Sequence, residues 1–359
     1  MIADKLRQRI RDSGPVSIAS FMTEVLFDPR EGFYATKDPI GAGADFITAP
    51  EVSQMFGELL GLWIMQSWDD MGRPAPFHLV EMGPGRGTMM SDILRTGRAL
   101  PGFLEACRVH LIEASAALKS VQAQTLGPSG AQISWVASLE QVPDGPCMIL
   151  GNEFLDCLPI RQAIRVDGLW YERMVGLIED ELRFVRGPQL KTELEPFPPG
   201  LIDAPDGSLV EFRPGDEQVI DQLKARFSTS PGRALFIDYG PASSEVGDTL
   251  QAIRKHEKVD PLDQPGTADL TARVDFAQLA RYAEQAGLQV SGPVEQGTFL
   301  NGLGIEARAA SLSQSAPEKR SQIARQLWRL TDAEQMGELF KLIVIDHIDM
   351  PAPPGFTAR

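Results

Sequence analysis

The apolar run Phe77–Met82 ends in the string GPGRGT (83–88), and Met89, Met90, Ile93 and Leu94 follow on one side of a helical period. No other feature narrows the fold as much. A strand that enters a glycine turn and leaves as a helix builds a corner of an open α/β sheet. Glycines there permit positive φ and let a ligand approach the main chain beside free helix amides. The alternation continues along the chain. Residues 108–112, 133–136, 147–150, 234–237 and 339–345 each carry a short apolar run between helical or turn segments. Strands punctuated by helices predict an α/β, Rossmann-like doubly wound sheet.

The glycine spacing separates the nucleotide readings. A dinucleotide fingerprint needs G-x-G-x-x-G, but the third glycine is Gly87 and Thr88 stands in the expected place. A phosphate-binding loop needs Gly-Lys followed by Ser or Thr, which is absent here. A nucleoside ligand without a pyrophosphate remains, and S-adenosylmethionine fits. The plain alternative is a tight strand-to-helix turn. On the ligand reading Gly83, Gly85 and Gly87 cradle the cofactor, and Glu81 meets its ammonium directly or through water. Glu113 ends the second strand, 30 residues after Gly83. In open sheets ligands lie beyond the carboxyl ends of the strands, so this carboxylate can accept both ribose hydroxyls. Otherwise it caps the helix beginning near Ser115. The fourth strand runs into GNEFLDCLP (151–159), which sets Asn152, Glu153 and Asp156 at the same end of the sheet. Carboxylates three residues apart can face one cleft and receive a planar cation bidentately. The plain reading has Asn152 and Asp156 satisfying backbone groups of the turn.

Around this core we expect an N-terminal helical cap over 1–75, a core formed by 76–160 and 230–359, and an inserted β-rich, Pro-rich region over 161–229. Thr48 to Glu51 has the form of a capping box, and Val52, Met55, Phe56, Leu59, Leu60 and Trp63 continue at helical spacing. The N-terminal segment, including Asp45–Ser53 and the long polar loop before it, is expected to cover the cofactor cleft. Residues 161–185 suit two or three paired strands, with Asp167 and Gly168 as the hairpin turn. Six prolines between Gly187 and Gly215 argue against a regular element there.

With 43% hydrophobic residues in 359, the chain can bury a large core. Its 49 acidic and 34 basic residues give a net charge of −15, which disfavours nucleic acid as a partner. Cys107, Cys147 and Cys157 form no Cys-x-x-Cys, and none of the four histidines sits in His-Glu-x-x-His, so neither a disulfide framework nor a metal is expected. Asp4 and Asp12 interrupt the N-terminal series Arg7, Arg9 and Arg11, which suits a surface helix of a cytoplasmic protein better than a targeting peptide. No apolar run approaches the ~18 residues of a membrane span.

Several strings together resemble the MidA family of class I S-adenosylmethionine-dependent methyltransferases, which includes a mitochondrial complex I assembly factor. They are DFITAPEVSQMFGE (45–58), VEMGPGRG (80–87), NEFLDCLP (152–159), IDYG (237–240), PGTADLTARVDF (265–276), QGTFL (296–300) and MGELFK (336–341). The matches extend over nearly the whole chain. Two departures are Ala44, where the family usually has Gly, and Met82, where Leu is common; neither removes a polar group. The resemblance implies a class I methyltransferase sheet and methylation of a protein arginine, with a subunit of a respiratory NADH dehydrogenase as the partner substrate. Glu153 and Asp156, beside Asn152, become candidates for a guanidinium clamp, and Asp45 joins the cofactor set. Tyr34, Asp238 and Tyr239 are weaker candidates for the pocket wall. The alternatives are a silent cofactor-binding assembly factor and a nicotinamide oxidoreductase, the latter opposed by the glycine spacing.

Overall fold

The computed structural model describes residues 2–36, 48–198, 200–255 and 257–356. At its centre is a seven-stranded sheet of β1 (Phe77–Met82), β2 (Cys107–Ile112), β3 (Gln132–Val136), β4 (Cys147–Asn152), β5 (Gly232–Tyr239), β6 (Gln289–Glu295) and β7 (Phe340–Asp346), in the order β6-β7-β5-β4-β1-β2-β3. Strands β1 to β5 are parallel, while β7 runs antiparallel to both β5 and β6. Chain order reverses between β1 and β4. That switch point opens a crevice at the carboxyl ends of these two strands, directly under the glycine turn.

Apolar residues alternate between two covered faces, as the two-residue period of a strand requires. Leu79, Met148, Leu150, Leu235 and Leu342 pack under α1 (Gln54–Asp70), α2 (Thr88–Gly97) and the C-terminal helices. Val80, Ile149, Phe236 and Ile343 pack on the other side against α4 (Pro214–Phe227) and α5 (Phe276–Gln285), with α3 (Ala116–Leu126) lying between β2 and β3 in sequence. Strand β6 has no counterpart among the apolar runs read from sequence. Gly292 and Pro293 interrupt it and its register against β7 shifts between Ser291 and Val294, which an edge strand tolerates.

The outer segments assemble differently from the expected division. Arg161–Val166 and Leu169–Ile178 form the anticipated hairpin, with Asp167 at φ 51° and Gly168 at φ 76°. They join Glu181–Gln189, Leu209–Phe212 and the short Val16–Ser17 in an antiparallel sheet. Leu209–Phe212 is a proline-free strand inside the stretch expected to be irregular. Pro214 then opens α4 in a first turn where its missing N–H costs nothing. The N-terminal helices Ile2–Ser13 and Ile18–Phe27 share a core with this sheet and with a three-stranded one made of Gln251–Arg254, Glu257–Val259 and Asp269–Thr271. Helix α1 belongs instead to the large sheet, and so does α4. Neither 1–75 nor 161–229 therefore packs as one body.

The helix expected to run on from Thr48 is broken. Ala49–Val52 forms a single turn, Ser53 is extended at φ −162°, and α1 restarts with the Ser53 hydroxyl accepting from the Met55 amide at 3.3 Å. The capping box does not form. The Thr48 side chain caps nothing, and the Glu51 carboxylate accepts from the Thr88 hydroxyl at 2.5 Å, tying this turn to the start of α2. No helix among the described residues is long and apolar enough to cross a membrane.

Candidate active site

Strand β1 delivers Glu81 to the switch point and then turns sharply. Gly83, Gly85 and Gly87 have φ of 66°, 53° and 79°, the left-handed region where a side chain is strained. A Cβ on Gly83 would also meet the Phe154 ring at 3.2 Å. Gly87 occupies the N-cap of α2, whereas Gly83 and Gly85 line both the main cavity and a smaller recess. Glu81 is 2% exposed, and its Oε2 is buried without a hydrogen-bond partner. Burial pushes its pKa up to about 8. Asn152, at the end of β4, has a buried Oδ1 that is likewise unpartnered. Both residues line a recess of about 60 Å³ beside the glycine turn, so Asn152 sits with the loop rather than in the larger cavity.

Glu113 follows β2. Its Oε1 accepts from the Ser115 amide at 2.7 Å and its Oε2 from the Gln122 side chain at 3.1 Å. Ser115 itself caps α3, so the plain and the functional readings of Glu113 coexist. An ionised carboxylate offers about four acceptor sites, and Glu113 also lines the cavity. Gln122 escaped the sequence reading. Its amide donates to Gly85 O at 2.7 Å as well as to Glu113, and its Oε1 accepts from Trp135 at 2.7 Å. One buried glutamine thus couples glycine turn, carboxylate and β3. A lone Gln on a helix gives no sequence signal of this kind.

The loop after β4 is held from below by Asp238. Its Oδ2 accepts from the amides of Leu155 and Asp156 at 2.9 and 3.2 Å, and its Oδ1 from Tyr239 N at 2.9 Å. Asp238 is fully buried and does not reach the cavity, which corrects its assignment to the pocket wall. It folds the turn that presents Glu153 and Asp156. Glu153 takes the uncommon φ of 51°, with its amide donating to Ile237 O at 2.8 Å. Its Oε1 accepts from the Ala49 amide at 3.3 Å and from Asn152 at 3.2 Å.

Glu153 and Asp156 line one cavity of about 610 Å³ together with Gly83, Gly85 and Glu113. Asp269, on the small three-stranded sheet, lines the same cavity and adds a further carboxylate to Glu153 and Asp156. The sequence reading held it only inside a matching string. Tyr34 donates to Asp269 Oδ1 at 2.8 Å, and Tyr239 donates to the Thr271 hydroxyl at 2.7 Å; both tyrosines line the cavity. Desolvation, followed by Asp238, raises Glu153 to about 8. Burial, then Asp269 and Glu153, holds Asp156 well above the usual carboxylate range. Crowded acids of this kind keep protons until a cation arrives among them. Asp45 lies outside the described residues.

Residues 59–294 match a protein family described as "Putative S-adenosyl-L-methionine-dependent methyltransferase". The protein arginine methyltransferase NDUFAF7, mitochondrial, of Rattus norvegicus is 38% identical over 95% of this chain and 83% of its own length. The Drosophila melanogaster homolog is 35% identical over 99% of this chain and 88% of its own. A crystal structure of a COG1565 superfamily member from Burkholderia thailandensis bound to S-adenosyl-homocysteine is 28% identical, with a TM-score of 0.87 over 99% of this chain and 94% of that one. These curated relatives are mitochondrial, which overturns the cytoplasmic placement expected from the acid-interrupted N-terminal helix.

Proposed function

The chain belongs to this family of S-adenosyl-L-methionine-dependent methyltransferases, and from that premise we propose that it methylates an arginine side chain of a protein. The observation that carries the proposal is the shared cavity, in which the glycine turn meets Glu153 and Asp156 from the loop after β4 and Asp269 from the three-stranded sheet. The cofactor fits the residues present. The unpartnered Glu81 Oε2 and Asn152 Oδ1 are acceptors suited to an ammonium, and Glu113 suits vicinal hydroxyls. S-adenosylmethionine supplies an activated methyl group on a sulfonium.

The chain's own residues then have two tasks. Gly83, Gly85 and Glu113 fix the donor end, while Glu153, Asp156 and Asp269 orient the acceptor. Arginine is a poor nucleophile because its lone pair is delocalised. Carboxylates on two of its nitrogens draw positive charge toward themselves and leave density on the third. Tyr34 and Tyr239 wall the passage and restrict water. Holding donor and acceptor in line is worth roughly 7–11 kcal/mol at best, so positioning carries most of the catalysis. The names of the curated relatives support arginine as the acceptor. A respiratory NADH dehydrogenase subunit as the target rests on the MidA family resemblance, and the net charge of −15 suits a cationic acceptor.

The test is incubation with isotopically labelled donor and lysate from a strain lacking the gene. Label should appear on an arginine of one protein or a few. Label on lysine or RNA, or no transfer at all, contradicts the proposal.

A further inference from the structure

Four carboxylates line the main cavity, Glu113, Glu153, Asp156 and Asp269, against one cation among its described lining residues, Arg329; the adjoining recess adds Arg86, which already has a partner of its own. The bound cofactor carries its own carboxylate on the same carbon as its ammonium. With the ammonium at Glu81 and Asn152, that carboxylate must lie within a few ångströms of them, in a neighbourhood lined by carboxyl groups that gain nothing from a further anion. A buried anion without a cation is not tolerated at such a place.

The geometry points to Arg329 as the residue that binds the carboxylate at the methionyl end of the cofactor. Its helix, Arg320–Thr331, is fixed at the turn that carries it. Gln326 donates to Val52 O at 2.7 Å, Leu330 is fully buried, and Leu330 O accepts from Gln296 at 2.9 Å. Arg329 is half-buried at the cavity wall, and its charge favours the ionised form of Glu153. Glu153 lines both the cavity and the recess that holds Glu81 and Asn152, so the two adjoin. A guanidinium presents paired donors that match a carboxylate, which a lysine does not. The plain alternative is a cation in the last turn of a helix, favourable to the helix dipole and indifferent to ligand.

This inference rests on the placement of the ammonium proposed above. No acceptor enters its test, so the arginine reading can fail independently. Calorimetry compares the parent protein with Arg329→Gln and Arg329→Lys, using three probes. They are S-adenosylhomocysteine, its decarboxylated analogue that keeps the amine, and 5′-methylthioadenosine, which lacks the amino-acid end. The Gln variant should lose on the order of 10- to 100-fold in affinity for S-adenosylhomocysteine. It should bind the other two as the parent does, and the Lys variant should recover part of the loss. Undiminished affinity for S-adenosylhomocysteine overturns the assignment. So does an equal loss for the decarboxylated analogue or for methylthioadenosine, which marks a structural effect. A Glu81→Gln arm reads the ammonium placement separately: unchanged S-adenosylhomocysteine affinity there removes that premise alone.

Discussion

Glu81 is costly to the ligand-free protein in a way that can be measured. Its carboxyl ordinarily titrates near 4.5, and burial raises it to about 8 in the folded chain. The folded state therefore holds this proton more tightly than the unfolded state does. The associated stability is fully present below pH 4.5 and is lost as pH rises toward 8, with an upper bound on the order of 5 kcal/mol. Glu81→Gln removes the titration while keeping the shape. Its melting temperature in the absence of ligand should exceed the parent's at pH 8, and the gap should close toward pH 5. Equal melting temperatures at pH 8 would mean that solvent or cavity water already carries the charge. Glu81 was legible in sequence because it precedes a glycine turn on an apolar strand. Its cost was not, since its burial depends on the turn at 48–51 and the start of α2 packing around the recess.

At the scale of elements, the turn after β4 depends on β5. Three backbone amides converge on Asp238, and Arg213 holds Leu155 O from the other side at 2.7 Å. Asp238→Asn turns an acceptor into an amide that faces N–H groups, so at least one bond is lost and a donor is left opposed. Chemical denaturation should register a loss of about 2–3 kcal/mol. Methyl transfer should fall with it, since Glu153 and Asp156 lose their seat. A variant with parental stability and activity would leave the turn self-supporting. This dependence explains why Asp238 looked like a pocket residue from sequence: it ends a strand at the active end of the sheet, but its partners come from a loop 82 and 83 residues away. Regular strands were legible from their apolar runs. β6 was not, because Gly292 and Pro293 break its pattern. The capping box at Thr48 failed for a related reason. Glu51 found a tertiary partner in Thr88, and a long-range hydrogen bond prevailed over the local one.

Across the whole molecule, the proposed clamp is assembled from parts that no local pattern joins. Glu153 and Asp156 come from the large sheet, Asp269 from the three-stranded sheet, and Tyr34 from the N-terminal segment packed beside it. Most of the proposed cofactor half, from Glu81 to Glu113, is contiguous in sequence and could be read there, whereas Asn152 and Arg329 join it only through the fold. The acceptor half depends on how the second core docks, so Asp269 emerged only in three dimensions. The most direct measurement is therefore a paired one on Glu153→Gln and Asp269→Asn, with S-adenosylhomocysteine affinity by calorimetry and methyl transfer by initial rate. Both variants should bind S-adenosylhomocysteine within about twofold of the parent, while turnover falls on the order of 100-fold or more, because the lost charge acts on the acceptor. Unaltered turnover, or a loss of cofactor affinity as large as the loss of rate, would contradict an acceptor clamp built from these carboxylates.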